Sequence, residues 1–165
     1  MSGLLRNLIT MIAALLSRKR FSASSTVTCH FRITPFDCGT SVLKSDKYFQ
    51  LAESAQLDFL IKTGLFRKLR SEGLSFVNAS QLIKFMKPVG MFKRVRVETK
   101  IYYADEKFAY FSHSIFIQDH QCSDVLVKMK FKKGSLTIPP SVLIGQSQLD
   151  TPRHLQAWNQ ALEAM

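Results

Sequence analysis

The chain is poor in cysteine and lacks several motifs that mark common enzyme classes. Its three cysteines, Cys29, Cys38 and Cys122, are odd in number and form no C-x-x-C pair. This pattern argues against a disulfide framework or a zinc site and favours a reducing interior. No P-loop, G-x-S-x-G or H-E-x-x-H motif is present, so nucleotide hydrolysis, serine hydrolase and zincin chemistry have no support. We predict no metal and no cofactor.

One group of residues resembles a metal site when its members are named together. The group consists of His113, Asp119, His120, Cys122 and Asp124. These residues have no recognisable ligand spacing. We therefore predict that they are surface residues of a strand and a polar turn.

Acidic residues are absent from the first 36 positions, whereas the same segment contains five basic residues. Leu4, Leu8, Ile12 and Leu15 recur at helical spacing, and a serine-rich stretch follows. This composition is typical of a mitochondrial transit peptide, with a plausible processing point at residues 20–22. The alternative is an amphipathic helix that docks on the protein itself, on a partner or on a membrane surface. The apolar part, residues 8–16, is too short to span a bilayer, which needs about 20 residues.

Length and charge indicate one basic domain with extensions at both ends. The chain has 165 residues, of which 46% are hydrophobic, and this is enough for one ordinary core. It has 23 basic and 12 acidic residues, a net charge of +11 that favours an anionic partner. We predict an N-terminal segment over 1–25, a domain over 26–134 and a C-terminal extension over 135–165.

The hydrophobic pattern predicts one long helix followed by antiparallel strands, which is an α+β arrangement. Residues 27–33 alternate as a strand, and Ser45 is the expected cap of a helix that ends before Gly64. Further strands are predicted over residues 74–85, 92–103, 108–118 and 125–133, with residues 118–124 as a polar turn. A short helix is expected from Pro152, with Thr151 as its cap. Its apolar stripe is Leu155, Trp158, Leu162 and Met165.

Residues 31–49, FRITPFDCGTSVLKSDKYF, resemble the active-site segment of hot-dog-fold thioesterases. In that family a strand ends in R-V-x-P-x-D-x-D, continues through an H-M-N-N-like loop and enters a helix at R-Y-L. The positions that keep this outline are Arg32, Ile33, Pro35, Asp37, Lys47, Tyr48 and Phe49. The resemblance extends over about residues 27–133, and Pro152, Leu155 and Trp158 repeat a P-x-x-L-x-x-W pattern of the 4-hydroxybenzoyl-CoA thioesterase-like proteins. It implies a hot-dog fold, in which an antiparallel sheet wraps around one central helix.

This sequence differs from the family at positions that take part in thioester hydrolysis. The family's second acid, which acts on the thioester, corresponds to Gly39, while Asp37 matches the first, non-catalytic acid. The loop is one residue shorter, and its asparagine pair corresponds to Ser45 and Asp46. A one-residue gap would instead bring Asp37 into the catalytic position, and this alternative stays open. With Tyr48, the residues Gly39, Ser45 and Asp46 are the expected pocket residues.

Two rows of basic residues are the other candidate binding surface. Lys128, Lys130 and Lys132 alternate with apolar residues on one predicted strand and are followed by Lys133. The second row is Arg94, Arg96 and Lys100 on another strand. If both strands belong to one meander, the rows could form a single positive surface for phosphates of coenzyme A or RNA. A solvated outer face is the ordinary explanation.

We therefore expect a mitochondrial, catalytically degenerate thioesterase-like protein that is a structural or assembly component of a larger complex. The first candidate is the mitochondrial ribosome with its rRNA, and the second is a respiratory membrane complex. The expected partners are protein subunits, a second hot-dog domain in a homo- or heterodimer, a coenzyme A thioester, and a membrane surface at the N-terminal helix. The expected location is the matrix or the inner-membrane surface. The alternative is an active acyl-CoA thioesterase with Asp37 as its acid.

Overall fold

One long helix and one six-stranded antiparallel sheet form the body of the molecule. The computed structural model describes residues 3–145 and 150–165. The helices are α1 Gly3–Leu16, α2 Ser45–Lys62, α3 Leu65–Ser71, α4 Ser141–Ile144 and α5 Arg153–Glu163, with a 3₁₀ turn at Pro35–Asp37. The strands are β1 Val27–Arg32, β2 Ser75–Phe85, β3 Arg94–Ala104, β4 Ala109–Ile117, β5 His120–Lys133 and β6 Leu136–Ile138.

The strands follow the order β1-β3-β4-β5-β2, and β6 pairs with the end of β5 beyond the end of β4. The sheet therefore extends past position 134, the boundary expected from the sequence. The order leaves one edge of β2 without a neighbouring strand among the described residues. Every pairing is antiparallel, so the expected α+β arrangement is confirmed.

The main core lies between α2 and the inner face of the sheet. Leu51, Ala55 and Phe59 of α2 are completely or almost completely buried there. The Phe59 ring meets Phe111 of β4 edge to face, with ring centroids 5.7 Å apart. The spacing of three and four residues on α2 and of two on β4 brings these side chains together. This arrangement confirms the expected enclosure of the central helix.

A second, smaller core forms where α5 covers the outer face of the sheet. Leu155 and Trp158 pack against Tyr103 and Tyr110, as expected for the apolar stripe of this helix. Met165, the last member of that stripe, is 99% exposed. The expected cap was wrong, because Pro152 occupies the N-cap position of α5. The Thr151 hydroxyl instead forms a hydrogen bond of 2.7 Å with the Tyr103 hydroxyl.

Two further local expectations need correction. Residues 120–124 belong to β5, because Ile117 pairs with His120 and the turn contains only Gln118 and Asp119. Ser45 is the first residue of α2 and not its cap. The N-cap is Lys44, which has an extended backbone and forms no side-chain cap bond. Its N–H donates to the Asp37 carbonyl at 3.0 Å, which fixes the entry of the chain into α2.

The helix α1 packs against α2 through its polar face and not through its leucine-rich face. Its buried side chains are Arg6, Thr10 and Ala14, whereas Leu4 and Leu16 are 84% and 78% exposed. Gly3 lies so close to α2 that a Cβ there would meet the Gln50 Oε1 atom at 3.2 Å. The helix therefore docks through small and polar residues. No helix among the described residues is long and apolar enough to cross a membrane.

The enclosure of α2 predicts a large stability difference between two phenylalanine substitutions. Phe59→Ala should lower the free energy of unfolding by about 3–5 kcal/mol, because a fully buried ring leaves a cavity. Phe36→Ala is the matched control, with an expected change below about 0.5 kcal/mol since Phe36 is 80% exposed. Urea denaturation of both variants measures the difference. Similar losses for the two would contradict a core centred on α2.

Candidate active site

The segment that resembles the thioesterase box folds into a compact loop between β1 and α2. Asp37 ends the 3₁₀ turn, and Cys38 and Leu43 then form an isolated β-bridge. The Gly39 N–H donates to the Val42 carbonyl at 3.0 Å, which closes this loop into a small hairpin. Leu43 N–H donates to the Val89 carbonyl at 2.8 Å and ties the hairpin to the segment before β3. The loop is therefore held at both ends.

Asp37 is completely buried and bound by groups from two parts of the chain. Its Oδ2 atom accepts hydrogen bonds from the Thr34 hydroxyl at 2.7 Å and from the Thr34 N–H at 3.0 Å. Its Oδ1 atom accepts a bond of 2.5 Å from the Nη2 atom of Arg6, which is itself only 1% exposed. The N-terminal helix and the active-site loop are thus joined by a buried ion pair.

This environment sets the charge of Asp37. Burial acts to raise the pKa of the carboxyl, but the Thr34 hydrogen bonds and the Arg6 guanidinium outweigh it and lower the pKa to about 2. Asp37 is therefore ionised at neutral pH. Its oxygens face Thr34 and Arg6, so the carboxylate has a structural role in positioning α1.

Gly39 has neither a carboxylate nor a crowded environment. It is exposed, and a Cβ built at this position would meet no atom within 4 Å. The first atom of an aspartate side chain would therefore displace no neighbour at this exposed position. The absence of an acid here reflects the residue type and no steric constraint at Cβ.

A cleft of about 270 Å³ opens beside the start of α2. Its lining residues are Leu43, Ser45, Tyr48, Phe85, Met86, Lys87 and Pro88. Of the pocket residues expected from the sequence, Ser45 and Tyr48 line this cleft, while Gly39 and Asp46 do not. Asp46 is exposed in the first turn of α2, where it contacts Lys47 and Gln50.

The cleft is at the end of the unpaired edge of the sheet. Phe85 is the last residue of β2, and its ring meets Tyr48 edge to face at 5.1 Å. Burial is the main cause that raises the pKa of the Tyr48 hydroxyl. Ligand sites usually occupy about 300–1,000 Å³. The cleft of this single chain is just below that range and opens where a second domain could add a wall.

The two basic rows lie on the outer face of the sheet, but they do not form one surface. The register places Arg96 opposite Phe116 and Phe116 opposite Gln121. Lys128 is seven residues further along β5, which corresponds to roughly 23 Å at about 3.3 Å per residue. Arg94 and Arg96 are therefore at the opposite end of the sheet from Lys128. Lys100, the third member of their row, lies between these two ends, opposite Ser112 of β4.

The first row is part of a denser basic cluster that the sequence analysis missed. Across the β1 and β3 pair, His30 lies opposite Arg96 and Arg32 opposite Arg94. Partial burial first, and then Arg94 and Arg96, lower the pKa of His30. Arg96 is also close to Glu98, with its Nε atom 3.0 Å from Oε1. The local potential is positive at this end of the sheet.

The second row is partly engaged by the protein itself. The Lys128 ammonium donates a hydrogen bond of 2.7 Å to Asn159 of α5 and lies 4.0 Å from the centre of the Phe108 ring. Lys130 is 5.0 Å from the same ring, and Lys132 donates to the Ser135 carbonyl. Lys133 is exposed at the end of β5. Lys128 therefore helps to hold α5 and is not a freely available cation.

The group that resembled a metal site, expected to consist of surface residues, includes buried members. His113 is completely buried in the core, where its Nδ1 atom is 2.9 Å from the Thr99 hydroxyl oxygen. Burial lowers its pKa to about 3, so the ring is neutral. The expected surface positions of His113 and Cys122 were both wrong, because the His113 side chain is on the inward face of β4 and Cys122 is only 2% exposed in β5. The sequence patterns also did not predict that Arg6 is buried. Thr10 and Ala14 follow Arg6 by four and eight residues, so the three side chains lie on one face of α1.

A curved antiparallel sheet around one long helix, with a loop and cleft at the helix start, defines the hot-dog class of thioesterase-like proteins. The thioesterase-like superfamily model matches residues 40–144. The chain belongs to the thioesterase-like superfamily. The matched segment begins directly after Gly39, so it includes neither this position nor Asp37.

Solved structures of the same fold come from several bacteria. A probable thioesterase from Bartonella henselae is 17% identical with a TM-score of 0.63, over 70% of this chain and 98% of that chain. A putative oleoyl thioesterase from Lactobacillus plantarum is 18% identical with a TM-score of 0.69, over 79% and 55%. DHNA-CoA thioesterase from Staphylococcus aureus is 14% identical with a TM-score of 0.63, over 84% and 89%. At these identities the likeness concerns the fold alone. Comparison with curated protein sequences gives no significant match.

The low pKa of Asp37 predicts a specific loss of stability in acid. The folded-state pKa of about 2 is below the ordinary value of 3.8, so the stabilisation is present above about pH 4 and is lost as the pH falls towards 2. The free-energy difference between wild type and Asp37→Asn should shrink by about 2 kcal/mol from pH 6 to pH 2. Urea denaturation at several pH values measures it. Asp46→Asn is the control. If the free-energy difference between wild type and Asp37→Asn stayed as constant with pH as that of the control, the result would contradict the ion pair.

Proposed function

We propose that this protein is a catalytically degenerate member of the thioesterase-like superfamily and acts as a structural or assembly component of a larger complex. The main support is the state of the active-site loop. Thioester hydrolysis needs a carboxylate that attacks the carbonyl or activates water. Gly39 supplies none, and Asp37 is buried between Thr34 and Arg6. A carboxylate that is fully engaged in this way has no free access to a substrate.

The unpaired edge of β2 supports pairing with a second hot-dog domain. Exposed strand edges present free N–H and C=O groups that favour pairing with another chain. Val77, Leu82 and Phe85 of β2 are each more than two-fifths exposed, which adds apolar surface along this strand. The cleft beside Tyr48 opens at the end of the same strand. A homo- or heterodimer formed here would extend the sheet and enlarge the cleft.

The charge supports an anionic partner within that complex, and the N-terminal composition supports a mitochondrial location. The first candidate is the mitochondrial ribosome or its assembly particle, where the basic ends of the sheet would meet rRNA phosphates. A respiratory membrane complex is the second. Removal of α1 by processing near residue 20 would take away the Arg6 partner of Asp37 and uncover the surface of α2 on which α1 packs. We therefore propose that α1 is retained in the mature protein.

The alternative function is hydrolysis or binding of a coenzyme A thioester. The observation that favours it is the cleft at the N-terminus of α2, lined by the apolar residues Leu43, Phe85 and Met86 with Ser45 and Lys87. A helix N-terminus offers backbone donors for an oxyanion, and a nearby lysine suits a phosphate. In this alternative, the ligand would occupy the cleft even where no acid acts on it.

The activity test separates the two functions. Wild type should hydrolyse short- and long-chain acyl-CoA no faster than Asp37→Asn, because neither supplies an accessible acid. Gly39→Asp should exceed both, since an aspartate fits at this open position. Thr40→Asp adds the same charge one residue away and is the matched control. Robust turnover by wild type that disappears in a folded Asp37→Asn variant would establish the enzyme function and overturn the proposal.

The association test uses the basic row on β5. Lys130→Ser/Lys132→Ser/Lys133→Ser should release the protein from its complex at about physiological salt. The loss of stability should be small, because Lys133 is exposed and the contacts of Lys130 with Phe108 and of Lys132 with Ser135 are weak contacts at the surface. Lys128 is left intact because it holds α5. A triple serine variant at Arg67, Arg70 and Arg153, which are exposed and lie outside the basic rows and the cleft, is the control of equal charge. Co-sedimentation from mitochondrial extracts followed by mass spectrometry identifies the complex, and binding unaffected by the first variant would exclude this row as the contact.

A further inference from the structure

The outward face of α1 is an apolar feature of the described surface that the proposed function does not explain. Its members are exposed by between 48% and 84%. They are Leu4, Leu5, Leu8, Ile9, Ile12, Leu15 and Leu16. Their spacing of three and four places them on one side of a 14-residue helix about 21 Å long. Contiguous apolar surface of this kind usually marks an interaction site.

The orientation of α1 is fixed by the contacts on its opposite face. The Arg6 guanidinium is paired with Asp37, and the Ser54 hydroxyl donates a hydrogen bond of 2.5 Å to the Asn7 side chain. Gly3 permits close approach to Gln50 of α2. Rotating the helix to bury its leucines would expose these groups and leave Asp37 buried without its arginine. The fold thus holds the apolar face towards the outside.

The charge around this face indicates what covers it. Arg18, Lys19 and Arg20 follow the helix directly and are all exposed, and residues 1–36 contain no acidic side chain. An apolar helical face next to a basic cluster matches an anionic membrane surface, where apolar side chains enter the acyl boundary and basic groups meet lipid phosphates. A protein partner would need an apolar groove with acidic ends.

We propose that α1 is a membrane-surface anchor that lies flat on an anionic phospholipid bilayer while its polar face stays docked on the domain. The helix does not cross the bilayer in this arrangement. The ion pair between Arg6 and Asp37 acts as the rigid link, so the domain adopts one orientation relative to the lipid. This inference does not rest on the loss of catalysis or on the identity of any complex.

The test uses the full chain and vesicles of phosphatidylcholine, alone or with about one-third phosphatidylglycerol. Wild type should co-sediment with the anionic vesicles, more weakly with the neutral ones, and less at high salt. Leu8→Gln/Ile12→Gln should reduce binding to anionic vesicles by about tenfold or more, because two apolar contacts are lost. Glutamine keeps the helix propensity, so α1 should remain folded. Leu136→Gln/Val142→Gln removes two apolar side chains elsewhere that are at least as exposed, and this variant should bind as wild type does.

A second pair of variants tests the electrostatic part. Arg18→Gln/Lys19→Gln should lower the ratio of binding to anionic over neutral vesicles by roughly tenfold. Lys132→Gln/Lys133→Gln has the same net charge and should leave this ratio unchanged. Light scattering of each variant reports self-association. Absence of vesicle binding by wild type, or unchanged binding by Leu8→Gln/Ile12→Gln, would overturn the proposal. So would a dimer that this double variant disrupts without any vesicle binding, since the face would then be a protein interface.

Discussion

The ion pair between Arg6 and Asp37 is the interaction on which the rest of this molecule depends. Removing either partner would leave an uncompensated charge inside the protein, which typically costs about 3–5 kcal/mol. The pair connects α1, the 3₁₀ turn and, through the Asp37 carbonyl, the start of α2. One buried contact therefore fixes the position of the N-terminal helix and the geometry of the active-site loop together.

This pairing supports the proposal that the loop does not hydrolyse thioesters, although the chain belongs to the thioesterase-like superfamily. A catalytic acid must reach the substrate, whereas Asp37 is ionised and enclosed by Thr34 and Arg6. Gly39 is open and could accommodate the missing carboxylate. The cleft, the helix start and the sheet edge are present, and they support the proposed binding of a ligand or a second domain.

The charge of the molecule is distributed rather than concentrated. Arg94 and Arg96 join His30 and Arg32 at one end of the outer face, while Lys128 and its neighbours lie at the other end around Phe108. The helix α5 covers sheet surface near this second group. The net charge alone therefore does not show where the positive surface lies. The strand register decides which basic residues are neighbours, and α5 decides which of them are covered.

The sequence by itself determined the fold class, because alternation with a period of two and a helical stripe on α2 depend only on local geometry. It also places a glycine at position 39, where the family resemblance predicts the catalytic acid, and that assignment stays a prediction. Tertiary structure alone decided the role of Arg6, the inward position of His113 and the engagement of Lys128 with Asn159. Each of these depends on contacts between residues 14 to 31 positions apart, and the hydrophobic pattern of one segment carries no information about such partners. For α1, the apolar stripe correctly predicted a helix, but only the buried carboxylate of Asp37 decided which face turns inward.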